Sequence, residues 1–100
     1  MIKHIVMWKV KKEITLTPDE VALQFSEALQ PLVGQIEGLI SIEVGADLLK
    51  TDASYDIVLV AIFNDLASLA AYQPHPLHIK VVEAIIKPCV ANRVVIDIQC

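Results

Sequence analysis

Long apolar runs, basic clusters and cysteine pairs are all missing from this sequence, and each gap removes a class of function. The longest unbroken apolar stretch, Ile57 to Phe63, has seven residues, against the ~20 that a helix needs to cross a bilayer. The opening "MIKHIVMWKV" has no basic region followed by an apolar one, so a cytoplasmic protein without membrane association is expected. Lysine and arginine total 8 against 12 acidic residues, for a net charge of −4, and no basic run is interleaved with aromatics. Nucleic acid is therefore not an expected partner. The two cysteines, Cys89 and Cys100, make neither a C-x-x-C pair nor a disulfide framework. Cys89 reads as a small packed apolar residue and Cys100 as an exposed one, with no activating neighbour in sequence beside either.

What the chain does have is aliphatic material: 55% of its 100 residues are hydrophobic and only 20% are charged. That excludes disorder and predicts one domain, residues 1–100, in which any function shares the core. It also exceeds what one small monomer usually hides, so a partner is expected.

Residues 2–10 read as a strand, with Ile2, His4, Val6, Trp8 and Val10 on one face and Ile5 and Met7 on the other. In "TLTPDEVALQF", Thr17 can cap a helix, Pro18 fits its first position, and Asp19 and Glu20 suit its positive end. That helix should run to about Val33, with Val21, Phe25, Leu29 and Leu32 inward. Gly34 and Gly38 bracket a turn before a second strand, Leu39 to Gly45, with Ile40, Ile42 and Val44 in and Ser41 and Glu43 out. "YDIVLVAIF" is a third strand, apolar on both faces and so central. In "NDLASLAAY", Asn64 and Asp65 can cap a helix that lines up Leu66, Leu69 and Tyr72. Pro74 and Pro76 break it, and a new helix from Pro76, capped by His75, runs to about Lys87. "NRVVIDIQ" is a fourth strand.

The order βαββαβ is that of a ferredoxin-like plait: an α+β fold whose antiparallel four-stranded sheet carries its helices on one face, with strands 1 and 3 in the middle. The other face would expose aliphatic side chains worth ~1.5 to 3 kcal/mol each, on the order of 10 kcal/mol together. A homodimer joining two sheets face to face is the expected cover.

Chemistry concentrates in "YQPHPLH", residues 72–78. The spacing turns His78 inward beside Val81, Val82 and Ile85, the prolines fold it toward Tyr72, and His4 could form a floor beneath them. Near neutrality an imidazole accepts a proton while a phenol donates a hydrogen bond to a carbonyl or enolate oxygen, with no metal or organic cofactor required. The same spacing also suits three amphipathic core residues with satisfied polar ends. A metal site of His4, His75 and His78 lacks a supporting cysteine or H-E-x-x-H pattern, and none is expected. Asp97 reads as an edge or interface carboxylate.

"KHIVMWKVK", "YDIVLVAIFND", "AAYQPHPLH" and "VVIDI" together resemble the stress-responsive A/B barrel domain, the dimeric α/β barrel type, over nearly the whole chain. The resemblance implies a ferredoxin-like homodimer closing into a barrel, with a small pocket between helices and sheet in each subunit. In plant polyketide cyclases similar to this family, a tyrosine and a histidine matching Tyr72 and His78 promote an aldol-type ring closure, and a histidine matching His4 lines the pocket. Those cyclases carry a further histidine on the third strand, where this chain has Ile57. Expected ligand contacts are His4, Val6, Trp8, Phe25 and His75. Two functional readings follow: a homodimeric barrel that holds a small organic ligand, its activity unassigned, or a cofactor-independent lyase, isomerase or cyclase acting on a carbonyl metabolite through His78 and Tyr72. A heme-degrading or quinone-forming monooxygenase of the related fold is a third, resting on fold alone.

Overall fold

Alternating burial defines the first strand, β1 (Ile2–Val10): His4, Val6 and Trp8 are buried, whereas Lys3, Ile5 and Met7 are half-buried. The computed structural model describes residues 1–100. After β1 come α1 (Pro18–Leu29), β2 (Leu39–Ala46), β3 (Ile57–Phe63), α2 (Leu66–Tyr72), α3 (Pro76–Val81) and β4 (Val90–Gln99). The sheet is antiparallel throughout, in the order β2-β3-β1-β4, so the two strands that are apolar on both faces occupy its middle. No helix is long and apolar enough to cross a membrane.

Helix α1 starts where the sequence predicts. The Thr17 hydroxyl accepts from the Glu20 N–H, and the Glu20 carboxylate accepts from the Thr17 N–H, two otherwise orphaned donors satisfied reciprocally. The Thr17 N–H, and after it the Thr17 hydroxyl, hold the Glu20 carboxyl below its usual pKa. The helix is shorter than its apolar stripe suggests. It tightens to a 3₁₀ turn at Gln30–Leu32, and Val33 is extended. The stripe of Val21, Phe25, Leu29 and Leu32 is nonetheless buried as expected, with the Phe25 ring edge-on to Trp8 at 5.4 Å.

Two apolar expectations are corrected. Ile40 is 44% exposed rather than inward, because the β2–β3 register steps from Leu39↔Phe63 to Ser41↔Ile62 and leaves Ile40 as the extra residue of a bulge. Leu39 takes the buried place. Leu66 is 66% exposed, while Leu69 and Tyr72 are buried. Steps of three fall short of a full helical turn, so the stripe drifts away from Leu66 within a seven-residue helix. The last helical stretch also changes character, from α3 into a π turn at Val82–Ile86.

Gly34 and Gly38 have φ of +92° and +85°, which a side chain tolerates at a cost of about 1 to 2 kcal/mol. A Cβ on Gly34 would meet nothing, but one on Gly38 would overlap the Ser68 side chain in the first turn of α2. Gly34→Ala should therefore cost about 1 to 2 kcal/mol in urea unfolding, and Gly38→Ala at least about 1 kcal/mol more. Equal costs would show that α2 does not rest on this turn.

Candidate functional site

The α2–α3 junction orients His75 and His78 through its hydrogen bonding. Asp65 caps α2 by accepting from the N–H and hydroxyl of Ser68, which lowers the pKa of its carboxyl. At the other end Gln73 is the C-cap, and its carbonyl needs a donor. The His75 N–H is taken by the Tyr72 carbonyl, and Pro76 has no N–H to give. The Leu77 N–H is taken by the Nδ1 of His75, the N-cap of α3. The remaining donor is His78, whose Nδ1 lies 3.1 Å from the Gln73 carbonyl. A carbonyl can only accept, so Nδ1 carries the proton and the lone pair sits on Nε2, which has no partner in the chain.

This bond sets His78 against Tyr72, with ring centroids 4.0 Å apart and planes at 32°. Tyr72 is seated in turn against Phe63 of β3 at 4.9 Å. Its hydroxyl makes no hydrogen bond within the chain, yet no polar side-chain atom is sealed without a partner, so the hydroxyl opens on the space in front of it. That space is a cavity of about 250 Å³ between helices and sheet, walled by Val6, Trp8, Leu29, Leu59, Val82 and Ile86 and reached by His4, Tyr72, Gln73, His78, Lys87, Val90 and Arg93.

His4 forms its floor. It is only 3% exposed, and its Nδ1 lies 2.5 Å from an oxygen of Asp97, the residue directly across the β1–β4 ladder. The Asp97 carboxylate oxygen accepts from His4 Nδ1, and this bond anchors the ring on the cavity floor.

The electrostatics divide the two central groups. Burial pushes the Tyr72 phenol up to about 12, only partly offset by the Arg93 charge. Burial also lowers the His78 pKa, against the Gln73 hydrogen bond that raises it, and the nearby His4, Arg93 and His75 charges lower it further. Near neutrality His78 is therefore an uncharged base and Tyr72 a protonated donor.

Of the residues expected from the sequence, His4, Val6, Trp8, Tyr72 and His78 meet at the cavity. Phe25 and His75 do not. Phe25 is fully buried behind Trp8, and His75 spends its ring nitrogen on the α3 cap, so the three histidines do not gather as one ligand set and no cluster suited to a metal ion forms. Ile57 is packed in the core opposite Trp8. Asp97 stands on the edge strand β4, as its reading as an edge carboxylate expects, and in addition holds His4; Arg93, Ile86 and Lys87 join the cavity without any sequence signal. The contact between Asp97 and His4 becomes legible only once β4 is aligned against β1. Arg93 and Val90, three residues apart, reach the same cavity because the ladder steps from Lys9↔Asn92 to Val10↔Val90, a bulge that restores Val90 to the inner face.

The profile of the family described as Stress Responsive A/B Barrel Domain matches residues 2–100. Among solved structures, a dimeric protein of unknown function and ferredoxin-like fold from Bacteroides fragilis is 26% identical, with a TM-score of 0.83 over 99% of this chain and 95% of its own. A dimeric ferredoxin-like protein of unknown function from Thermobifida fusca is 31% identical, with a TM-score of 0.80 over 99% and 90%. The hydroxynitrile lyase of Passiflora edulis is 16% identical, with a TM-score of 0.76 over 97% and 90%, a likeness of fold alone. No curated protein matches the chain in sequence.

The shifts of Tyr72 and His78 leave a mark on stability. Below the ordinary histidine value of ~6.5 the unfolded chain takes up a proton at residue 78 before the folded one does, so this contribution is present at neutrality and lost as pH falls through that window. The Tyr72 phenol ionises in the unfolded chain near 10 but in the folded protein only at about 12, so stability falls as pH rises between them. Relative to Tyr72→Phe, the wild type should lose about 2 to 3 kcal/mol between pH 9 and 12 in denaturant titrations. A constant difference across that range would place the hydroxyl in bulk solvent.

Proposed function

This chain belongs to the stress responsive A/B barrel domain family, and on that footing we propose that it is a homodimer whose subunit cavities bind a small carbonyl compound and move a proton on the carbon next to the carbonyl. The observation that carries this reading is the Gln73–His78 hydrogen bond, which leaves a basic Nε2 beside the unpartnered hydroxyl of Tyr72 in a largely apolar cavity. His78 Nε2 takes the proton from the α-carbon. The C–H electron pair becomes the new C–C π bond while the carbonyl π pair moves to oxygen, and Tyr72 donates its hydrogen bond to the enolate oxygen as charge develops there. Returning the proton to another carbon gives isomerisation, and attack of the enolate carbon on an electrophile gives ring closure or addition. His4, held by Asp97, supplies a second polar contact on the floor. A cavity of roughly 150 Å³ takes a benzene, so about 250 Å³ suits a single ring with a short substituent.

The assembly part of the proposal rests on the other face of the sheet. Ile5 and Met7 of β1, Val58, Val60 and Ile62 of β3, and Val94, Ile96 and Ile98 of β4 share that side by register, and no helix covers it. Ile96 is 56% exposed. The dimeric state of the Bacteroides fragilis and Thermobifida fusca proteins supports a dimer here.

Two measurements test these statements. In D₂O the protein should speed deuterium entry at the methyl group of acetophenone. His78→Gln should lower that rate by about 10² to 10⁴ and Tyr72→Phe by about 10² to 10³, with thermal unfolding still cooperative. Exchange undiminished in His78→Gln removes the base assignment, and wild-type exchange no faster than buffer leaves ligand holding without turnover. In sedimentation at micromolar concentration, the wild type should run as a dimer and Ile96→Asp as a monomer; a wild-type monomer ends the dimer proposal.

A further inference from the structure

The cavity carries charge of one sign. No carboxylate lines it, and the nearest one described above, Asp97, is engaged by His4. Two cations do reach it, Lys87 and Arg93, and they differ in availability. The Lys87 ammonium is held by Glu83 at 2.8 Å. Arg93 makes no side-chain hydrogen bond and no ion pair with any residue of the chain. It is the only arginine in a protein of net charge −4, and it stands on the cavity side of β4, across the ladder from Trp8.

That placement follows from the strand geometry. Arg93 is paired with Trp8 and therefore shares the inner face with His4 and Val6, while the bulge that follows Lys9↔Asn92 lets Val90 close the wall next to it. A guanidinium has a fixed planar fork of donors that matches a carboxylate in two parallel hydrogen bonds. An unpartnered fork at the mouth of an apolar cavity, with a base and a phenol farther in, is complementary to a molecule that is apolar in its body, carries a carbonyl, and bears one negative charge.

We propose that Arg93 is the anion-recognising residue of this site and that the ligand class is a small oxo-carboxylate, its carboxylate on Arg93 and its carbonyl toward Tyr72 and His78. This rests on the reading of the cavity as a ligand site given under Proposed function. The Arg93 charge acts on Tyr72 and His78, lowering the pKa of each; a bound carboxylate offsets that charge, so ligand binding and the protonation of both residues are linked. Arg93 is exposed at the rim, so its contribution is moderate and depends on salt.

The test uses the single tryptophan, which lines the cavity. Its indole N–H resonance is followed in ¹⁵N-labelled protein titrated with benzoylformate, which has a ring, a ketone and a carboxylate, or with acetophenone, which lacks the carboxylate. At low ionic strength the wild type should bind benzoylformate about tenfold more tightly, a preference that shrinks toward 1 M salt. Arg93→Gln should bring the two dissociation constants together without changing that of acetophenone, Arg93→Lys should keep part of the preference, and Lys87→Gln should keep nearly all of it. Equal wild-type affinities, or a preference that survives Arg93→Gln, overturn the assignment while leaving the cavity a ligand site. If neither compound moves the Trp8 resonance at millimolar concentration, the ligand-site reading itself fails, and this proposal with it.

Discussion

Everything in this molecule is arranged around a strand with two working faces. β1 lies between β3 and β4 and alternates with period two, so His4, Val6 and Trp8 look toward the helices while Ile5 and Met7 look away. A slip of one residue would exchange the sets, moving a histidine and an indole out of the cavity and lysines into it. Pairing on both sides, together with the burial of Trp8 against Phe25 and of Val6 and His4 in the core, makes that slip costly. The cavity floor is thereby fixed by the hydrogen-bond ladder that closes the sheet, and its walls need only be laid across it.

The second constraint is local. Two prolines flanking one histidine would ordinarily mark only the end of one helix and the start of the next. Here Pro76 also withholds an N–H that could have satisfied the Gln73 carbonyl at the C-cap of α2, and the imidazole of His78 takes its place. Helix termination and base orientation are thus the same event. A donor from the backbone at this point would have freed the ring to turn, and with it the choice of which nitrogen holds the proton.

Periodicity revealed the elements and their order because apolar alternation and proline placement are local signals. Tyr72 and His78 were legible for the same reason, since both lie within seven residues of one helix break. What escaped notice depends on registers that no local pattern encodes. Ile40 looked inward by alternation until a bulge displaced it. His75, legible both as a helix cap and as a ligand contact, gives its nitrogen to the cap, and Phe25 backs the tryptophan that lines the cavity instead of lining it. Asp97 and Arg93 sit more than eighty residues from their β1 partners, His4 and Trp8, and became meaningful only when the last strand was laid against the first.

The two margins of the sheet are unlike. β2 opens with a bulge and points Glu43 outward, features that discourage a foreign strand from adding to it. β4 is ten residues long, exposed along nearly its whole length, and aliphatic at Val94, Val95, Ile96 and Ile98. A newly made chain therefore has one blunted border and one adhesive border, and its risk of aggregation in a crowded cell rests on how quickly the adhesive one is occupied.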